Sequence, residues 1–564
     1  MSENRPKWLH TVLALCLVAF GVAGTTRPYW TLENIAILVA IVAVLLVIWR
    51  GSILHRSALG VLVVVAAVGV AFSREVSVPV VVYSVQVYLI LAGIHALVLS
   101  RKRGWMHLVL GIGLMVMGLL GLYWIDVASI LTGLLLAPLA LIVGAYIIVR
   151  TWLPHLSPHH HPKLMLNLAR VGAIALLLLG GVSTYFTAVA IRHAPVEDDF
   201  AKYDAPLGDQ PGVLLAAEPF DRKMPENSAA TRILYTTTGL DGSIVLATGL
   251  VIVPADAPAE PLPVILWAHG TTGVGVHCAP TLVSDPLGAG AMMFPDLPLN
   301  QGWALVAPDY IGLGASAPHP YMVGRPTAHS SLDAVRAARQ LESVSLSDDT
   351  VVWGHSQGGG SALWIGIEAE EYAPDVPLLG VAAMSPASDL PEFIDSMLSG
   401  LGGPIFGGFI ISGFSNGYDD VKFDDYIRLG ARFSQEEIAE RCLSEPSFLA
   451  SVASVFITEP FYQKDVHTGP LYTRLQENVP NVPLGVPLFL GQGEADPLII
   501  PEVQTQYVAK LCDSGQVVEY HTYPGLDHLG VVNPDSPMLG DLMSWTEARF
   551  ARKAAPESCT TNGE

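Results

Sequence analysis

The stretch that decides the fold runs Asp349-Thr350-Val351-Val352-Trp353-Gly354-His355-Ser356-Gln357-Gly358-Gly359. A β-branched, apolar run comes first, and helix-compatible residues follow as far as Trp364. This order predicts a strand, a tight turn at Ser356 and then a helix, which is the context of a G-x-S-x-G nucleophile turn. Glycine is needed at 354 and 358 because a Cβ there would clash. A chain with 53 glycines can also produce the pattern by chance, so its partners must be found elsewhere.

The first partner is a carboxylate. A serine hydroxyl becomes a good nucleophile only when a base removes its proton and a carboxylate orients that base. In folds with this turn, the acid and then the base follow the serine, each after a strand. The apolar residues 486–491 predict a buried parallel strand, and Asp496 comes after it. We expect Asp496 to be the acid, with Glu494 and Asp389 as alternatives.

The second partner is a histidine. Residues 517–523 predict the last strand, and His528 lies in the loop behind it. That position is one strand–helix–strand unit after the acid, which favours His528 as general base over a merely solvated loop histidine. Ser356, Asp496 and His528 together predict covalent catalysis by an activated serine.

A third requirement is a pair of N–H groups for the oxyanion. Residues 263–268 predict a strand, and His269-Gly270-Thr271-Thr272-Gly273 follows it. A glycine-rich loop after an early strand supplies one such N–H, and the residue after the nucleophile supplies the other. We therefore expect Thr271, with Thr272 as the alternative, and Gln357 to form the oxyanion hole.

From about residue 211 to residue 550 the chain resembles the secretory lipase family, which includes the fungal lipase A type. The resemblance rests on Pro211-Gly212-Val213-Leu214, Ala268-His269-Gly270-Thr271-Thr272-Gly273, Ala307-Pro308-Asp309-Tyr310-Ile311-Gly312-Leu313-Gly314, the Ser356 turn and the Asp496 and His528 loops. It implies an α/β-hydrolase fold and activity on carboxylic esters without a cofactor or a metal. Residues 1–193 depart from secreted relatives of this kind.

Those first 193 residues contain about seven apolar stretches, each long enough to span a bilayer. Their centres lie near Leu15, Ile41, Val64, Tyr88, Val116, Leu136 and Leu178. Nine Lys/Arg residues flank alternate ends of these stretches, against three at the opposite ends. Because cytoplasmic loops carry the excess of positive charge, the N-terminus is predicted in the cytoplasm and the hydrolase outside. If the first stretch is instead a signal peptide cleaved near residues 21–24, six spans remain and the sidedness is unchanged.

This half also repeats itself. A shift of 51 residues places Gly60 on Gly111 and Gly93 on Gly144, which indicates a duplicated helical hairpin. It is similar to the small acid-resistance membrane proteins built of such hairpins. No stretch has a central cluster of charges, so we expect an anchor or scaffold rather than a transporter. The histidines at 155 and 159–161 lie in a proline-containing loop, for which solvation is favoured over metal binding.

Charge divides the chain in the same place. Residues 1–193 carry 13 basic and four acidic side chains, and the remaining residues carry 17 basic and 47 acidic ones. The net charges of +9 and −30 argue against nucleic acid as a partner of the second part. Its cysteines are even in number, as an oxidising compartment permits. Of the three pairings we favour Cys278 with Cys442 and Cys512 with Cys559, with four free thiols as the alternative.

The domain organisation is therefore a transmembrane helical domain (1–193), an α/β-hydrolase domain (194–552) and a polar tail (553–564). An insertion at about 389–484 accounts for the residues that are additional to the usual fold. Its apolar, glycine-rich residues 398–410 could form a mobile lid or a permanently packed cap.

The function predicted is a membrane-anchored serine hydrolase for carboxylic esters, with lipids as the expected substrates. An acyltransferase would use the same three residues, and a peptidase lacks a recognisable acidic specificity site. A non-enzymatic transport or stress protein with a hydrolase-like binding domain would require a broken triad, whereas all three residues are present. The sequence identifies no protein partner.

Overall fold

The computed structural model describes residues 7–49, 74–153, 162–195, 198–288, 292–315, 318–399, 402–449, 451, 457 and 459–559. The chain divides into two compact units. The first, the helical unit, comprises residues 1–192, 424–437 and 449–464, and the second, the sheet unit, comprises the rest. The boundary after Arg192 lies next to the one drawn from the sequence. Two segments of the insertion, which the sequence assigned to the hydrolase, pack instead with the N-terminal helices.

The helical unit is built from long apolar helices. They are α1 (Lys7–Gly24), α2 (Pro28–Trp49), α3 (Arg74–Arg103), α4 (Trp105–Tyr123), α5 (Ile125–Trp152) and α6 (Pro162–Arg192). In the described residues, four stretches are long and apolar enough to cross a bilayer: Val78–Lys102, Trp105–Tyr123, Ile125–Trp152 and Arg170–Arg192. The apolar stretches His10–Gly24 and Pro28–Val42 are shorter. The stretch predicted near Val64 and the histidines at 155 and 159–161 lie outside the described residues.

The described part of α3 begins at residue 74 and α5 begins at residue 125, which is also the spacing of the predicted 51-residue repeat. A Cβ added at Gly93 would lie 2.7 Å from the Met115 nitrogen. One added at the equivalent Gly144 would lie 2.8 Å from the Ala14 carbonyl oxygen. Both glycines therefore permit a close helix–helix approach, as small residues do between membrane helices.

The two insertion segments dock on the N-terminal ends of these helices. Leu429 and Phe433 pack against the apolar cluster of Leu32, Val78, Val82 and Ile125. An ion-pair cluster lies beside it, in which the Arg428 guanidinium donates to both Glu33 and Glu459. Glu459 also accepts from the backbone N–H groups of Tyr29 and Trp30, so a carboxylate caps the positive end of α2.

A mixed sheet forms the core of the sheet unit. Its strands are β1 (Leu214–Pro219), β2 (Ser228–Thr238), β3 (Ile244–Pro254), β4 (Leu262–Ala268), β5 (Ala304–Pro308), β6 (Leu346–His355), β7 (Leu378–Met384), β8 (Leu488–Gly493) and β9 (Val518–Tyr523). The nine are ordered β1-β2-β3-β5-β4-β6-β7-β8-β9. Strands β1, β2 and β3 pair antiparallel with their neighbours, and β3 pairs antiparallel with β5. Strands β4 to β9 all run parallel to one another. The four strands predicted around the candidate site residues are present as β4, β6, β8 and β9.

Helices cover both faces of this sheet. They are α7 (Asp296–Asn300), α8 (Gly324–Ala338), α9 (Gln357–Tyr372), α15 (Pro501–Asp513) and α16 (Pro537–Phe550). Successive strand residues point to opposite faces, so Leu266 packs in a cluster with α8, α9 and α15, whereas Ile265 packs in a second cluster with α16. Burial on both faces explains why these strands are continuous apolar runs instead of alternating ones.

The insertion supplies α10 (Leu390–Ser399), a π-helical turn (Gly403–Gly407), α11 (Gly408–Gly417), α12 (Phe423–Tyr426), α13 (Arg432–Ala439) and α14 (Gly469–Glu477). Phe409 and Phe414 on α11 are fully buried. A Cβ at Gly413 would lie 2.4 Å from the Cβ of Tyr321, which belongs to the loop between β5 and α8. Helix α11 is therefore packed closely against this loop. In the structure, the described part of the glycine-rich stretch is a packed cap.

Two disulfide bonds lie in the sheet unit. Cys278 is bonded to Cys442 with a Cα–Cα distance of 5.1 Å, and Cys512 to Cys559 with 5.4 Å. These are the two pairings that the sequence favoured. The first links the loop after β4 to the insertion, and the second links α15 to the C-terminal tail.

Candidate active site

Ser356 occupies a strained turn between β6 and α9, with φ 60° and ψ −120°. A residue with a side chain rarely adopts positive φ, so the surrounding structure must hold it there. A Cβ at Gly354 would lie 2.0 Å from the Gly358 carbonyl oxygen, and one at Gly358 would lie 2.0 Å from the Ala268 carbonyl oxygen. Both contacts are too close for any other residue, which is the steric reason for the glycine pattern.

The structure brings together the three side chains predicted for catalysis. His528 Nε2 lies 2.9 Å from Ser356 Oγ, and His528 Nδ1 lies 2.8 Å from Asp496 Oδ2. The three residues follow β6, β8 and β9, whose carboxyl ends lie at the same edge of the sheet. The serine, the imidazole and the carboxylate thus form one hydrogen-bonded chain.

The carboxylate is held firmly. Asp496 Oδ1 accepts hydrogen bonds from the backbone N–H groups of Leu498 and Ile499, and the Gln492 amide donates to Oδ2. Burial by itself would raise the pKa of Asp496, but the hydrogen bond and charge of His528 and the two backbone donors outweigh it, so the pKa is lowered. The group therefore stays ionised and able to orient His528.

A second histidine supports the first. His355 is fully buried, and its Nε2–H donates to the His528 carbonyl oxygen at 2.9 Å. The two rings lie 4.7 Å apart. Burial, and next the neighbouring His528, lower the pKa of His355 to about 3. His355 is therefore neutral at pH 7 and can fix the backbone of His528 without adding a competing charge.

The alternative acids lie elsewhere. Glu494 is exposed and accepts a hydrogen bond from Thr522. Asp389 accepts from the backbone N–H of Glu392 at the start of α10 and lies 3.8 Å from the Lys510 ammonium. Neither carboxylate has a hydrogen bond to His528 in the described residues, so the geometry favours Asp496.

The residues predicted for the oxyanion hole lie beside the serine. Thr271 and Ser356 line the same cavity. Gln357 is the first residue of α9, where backbone N–H groups have no partner within the helix and the helix dipole favours negative charge. Thr272 does not line the cavity, and its carbonyl accepts from the Leu443 N–H. Thr271 is therefore better placed than Thr272.

The cavity over Ser356 is apolar and has a volume of about 180 Å³. It is lined by Gly270, Thr271, Tyr321, Met322, His355, Ser356, Phe393, Phe406, Leu443, Leu498, His528 and Leu529. Phe393 comes from α10, Phe406 from the π-helical turn and Leu443 from the residues after α13. The insertion thus supplies much of the wall that would contact a substrate.

The disulfide Cys278–Cys442 lies next to this wall. Leu443 follows Cys442, and its N–H donates to Thr272 at 2.8 Å. The covalent bond and the hydrogen bond together hold the insertion against the loop that carries Thr271. His277, Cys278 and Cys442 also cluster as a group with metal-ligand atoms, but a disulfide provides no thiolate, so this group does not fit a metal.

Sequence reasoning missed several of these residues. Tyr321, Met322 and the apolar side chains of the insertion carry no motif, because they approach Ser356 only through folding. One local signal was available for His355, since it stands beside the serine in the turn. The other lining residues are separated from Ser356 by tens of residues of chain.

Comparisons with known proteins agree with the geometry. Residues 290–558 match the family model described as secretory lipase. Lipase 6 of Candida albicans is 26% identical over 442 residues, which cover 68% of this chain and 88% of that protein. Secreted triacylglycerol lipase LIP7 of Malassezia globosa is 25% identical over 433 residues, covering 71% and 89%.

Among solved structures, Candida antarctica lipase A superposes with a TM-score of 0.54 at 19% sequence identity. The superposition covers 64% of this chain and 88% of that one. This likeness shows the α/β-hydrolase fold, which accounts for the order of the parallel strands and for the position of the turn at Ser356.

Proposed function

We propose that this chain cleaves lipid esters through Ser356 while its N-terminal helices hold it in a membrane. Residues 290–558 belong to the secretory lipase family, and the chain is a carboxylic ester hydrolase. The observation that carries the catalytic part is the hydrogen-bonded chain from Ser356 through His528 to Asp496.

The reaction begins when Ser356 Oγ attacks the ester carbonyl. His528 Nε2 accepts the serine proton, and Asp496 fixes the imidazole with Nδ1–H donating to it and stabilises the imidazolium. The protonated His528 then gives its proton to the leaving alcohol, and an acyl-enzyme remains on Ser356. Water, deprotonated by His528, attacks the acyl-enzyme, and the acid leaves as Ser356 recovers its proton.

Negative charge develops on the carbonyl oxygen in both steps. The N–H groups of Thr271 and Gln357 are the proposed donors, and the dipole of α9 adds to them. Such preorganised donors stabilise the tetrahedral intermediate more than the neutral ester, which is why they accelerate the reaction.

The cavity supports an ester with an apolar acyl chain as substrate. Its walls are mainly aromatic and aliphatic side chains, Phe393, Phe406, Leu443, Leu498 and Leu529 among them. Burying apolar surface contributes about 25 cal/mol per Å². An acyl chain therefore gains binding energy in this cavity, whereas a charged or strongly polar chain would lose its hydration.

Membrane anchoring is proposed from the helical unit. Its four stretches of spanning length are long and apolar enough to cross a bilayer. The insertion segments dock at the starts of α2, α3 and α5, through Leu32, Val78 and Ile125. Those three helix ends are the ones that the Lys/Arg bias assigns to the exterior. A segment of the hydrolase chain and these ends must share one side, so the docking agrees with an exterior hydrolase.

The test of the catalytic proposal uses the full-length protein in detergent micelles with p-nitrophenyl esters of graded acyl length. Ser356→Ala should lower kcat by about 10⁴-fold or more, because the nucleophile is removed. Ser514→Ala is the matched control, since that hydroxyl only caps the end of α15 through Leu511. Wild-type activity in Ser356→Ala would disprove the mechanism. Products formed with an added alcohol would show whether acyl transfer competes with hydrolysis.

Sidedness is tested by labelling single cysteines in intact cells, in a Cys16→Ser background. A membrane-impermeant maleimide should label Lys553→Cys at once and Lys102→Cys only after the membrane is permeabilised. Both side chains are exposed in the structure. Labelling of residue 102 but not of residue 553 in intact cells would reverse the proposed orientation.

A further inference from the structure

A buried tyrosine hydroxyl contacts the side chain of the proposed oxyanion residue. The Tyr321 hydroxyl lies 2.7 Å from Thr271 Oγ1. Both residues line the cavity that contains Ser356. Tyr321 belongs to the loop between β5 and α8, 50 residues away in the chain. The contact is part of the site, but the mechanism above uses only the backbone N–H of Thr271.

The Tyr321 ring has a fixed position. It is fully buried, and it packs edge-on against Phe409 and His319, with centroid separations of 5.9 and 6.1 Å. The close approach of Gly413 on α11 restrains it further. A hydroxyl carried on such a ring can hold a partner at one place, whereas a flexible side chain would lose conformational entropy in doing so.

The direction of this hydrogen bond follows from chemistry. Either hydroxyl could donate, but a phenol is a stronger acid than an aliphatic alcohol and so the better donor. Burial raises the pKa of Tyr321 further above its usual range, so the phenol keeps its proton. In the described part of the chain, Thr271 Oγ1 is its sole hydrogen-bond partner. With Tyr321 donating, the hydrogen of the Thr271 hydroxyl is free to point elsewhere.

We propose that Tyr321 is a positioning residue that donates to Thr271 Oγ1 and thereby turns the Thr271 hydroxyl hydrogen toward the oxyanion. Thr271 then gives two hydrogen bonds to the developing charge, one from its backbone N–H and one from Oγ1–H. No proton is transferred along this chain, so the proton balance of the reaction is unchanged. The inference rests on the proposed function and extends it by one donor and the residue that orients it.

Neighbouring hydroxyls do not offer the same arrangement. Thr272 Oγ1 is buried with no hydrogen-bond partner in the described residues, but Thr272 does not line the cavity. The Tyr310 hydroxyl donates to the His269 backbone oxygen and is thereby occupied. The Tyr321–Thr271 pair is the one that combines a directed donor with a place in the cavity wall.

The experiment is a double-mutant cycle on the full-length protein, with kcat and KM measured for a p-nitrophenyl ester. Thr271→Val should lower kcat by about 100-fold, as loss of one oxyanion donor does elsewhere. Tyr321→Phe should lower kcat by about tenfold with KM unchanged, because the donor remains but is no longer directed. In the Thr271→Val background, Tyr321→Phe should have no further effect. Thr271→Ser should retain activity within a few-fold.

Tyr507→Phe is the matched control, since its buried hydroxyl donates to the Pro480 carbonyl away from the cavity, and its kcat should equal that of wild type. An equal loss from Tyr321→Phe in both backgrounds would overturn the inference, as would unchanged kcat in the single variant. A folding defect would produce that equal loss, so it too counts against the proposal. Ser356→Ala separates the two claims: if it stays active the proposed function fails, and if it is inactive only the role of Tyr321 is in question.

Discussion

The two units of this chain differ in the solvent exposure of their large apolar side chains. In the sheet unit Val264, Leu266 and Val352 are fully buried. On the helical unit Val182 and Tyr185 are exposed by 68% and 73% of their surface. Exposed apolar side chains on this scale, repeated along α3 to α6, are unfavourable against water. They are the pattern expected of helices whose surroundings are lipid.

The difference teaches that the two units are suited to different surroundings and gain stability in different ways. In the sheet unit, apolar burial leaves the polar groups of the site in a dry, shaped cavity where hydrogen bonds and charges act strongly. In the helical unit, Gly93 and Gly144 permit the close helix–helix packing by which helices associate in lipid. The proposed chemistry therefore belongs to the sheet unit and the proposed membrane location to the helical unit.

The largest effect is expected at the acid of the sheet unit. Asp496→Asn should lower kcat by about 10⁴-fold, because an amide no longer fixes the His528 tautomer or stabilises the imidazolium. Initial rates with a p-nitrophenyl ester measure it. Glu494→Gln is the matched control, and its rate should stay within about twofold of wild type. If Glu494→Gln gave the larger loss, the assignment of the acid would be wrong.

A smaller effect is expected in the helical unit. Arg428→Met leaves the carboxylates of Glu33 and Glu459 without their shared counter-charge. Because the three side chains are mostly but not fully buried, the expected loss of stability is about 1–3 kcal/mol. The apparent thermal midpoint in detergent, followed by tryptophan fluorescence, measures it.

Arg474→Met provides the comparison for that variant. Its partners Asp420 and Glu477 are about half exposed, so the midpoint should barely change. Equal shifts in the two variants would mean that the Arg428 cluster contributes no more than an ordinary surface ion pair, and that the insertion segments are not held through it.

The smallest effect is a dependence of stability on pH. The pKa of His355 is about 3 in the folded protein, against 6.5 for an ordinary histidine. Below pH 6.5, His355 binds a proton in the unfolded state but not in the folded state, so stability is lost as pH falls from 6.5 toward 3. Between pH 6.5 and 5 this loss is about 2 kcal/mol.

His355→Gln should remove that loss, since its amide can still donate to the His528 carbonyl but does not titrate. Thermal midpoints at pH 7 and pH 5 should therefore differ less in the variant than in wild type. His319, whose pKa burial lowers to about 4, acts in both proteins and cancels in the comparison. An unchanged pH dependence would show that His355 is not buried as the structure places it.

Much of the fold could be predicted because its signals are local. The strand before Ser356, the glycines on either side of it and the apolar run before Asp496 are each visible within about ten residues. The order of serine, acid and base could also be predicted, because it is read directly from the sequence. The two disulfide bonds form one of the three connectivities that four cysteines allow, and the sequence could favour it but not decide it.

The cavity wall could not be predicted in this way. Tyr321, Phe393 and Leu443 meet over Ser356 from separate segments, and no spacing or periodicity connects them. Nor does the sequence reveal that residues 424–437 and 449–464 of the insertion pack with the N-terminal helices. Such contacts depend on how helices and strands pack together. Packing depends on the fit between side chains that are far apart in the sequence, and no local pattern records that fit.

By itself, the sequence predicted the reacting groups and determined the division of the chain into an apolar and an acidic part. Both are properties of composition and of short stretches, where steric limits and hydrophobic periodicity act directly. Only the tertiary structure decided which side chains surround Ser356, that Thr271 meets Tyr321, and that Arg428 lies between Glu33 and Glu459. The reason is physical: hydrogen bonds and close packing require atoms within about 3 to 4 Å, a condition that folding alone fulfils for residues far apart in the chain.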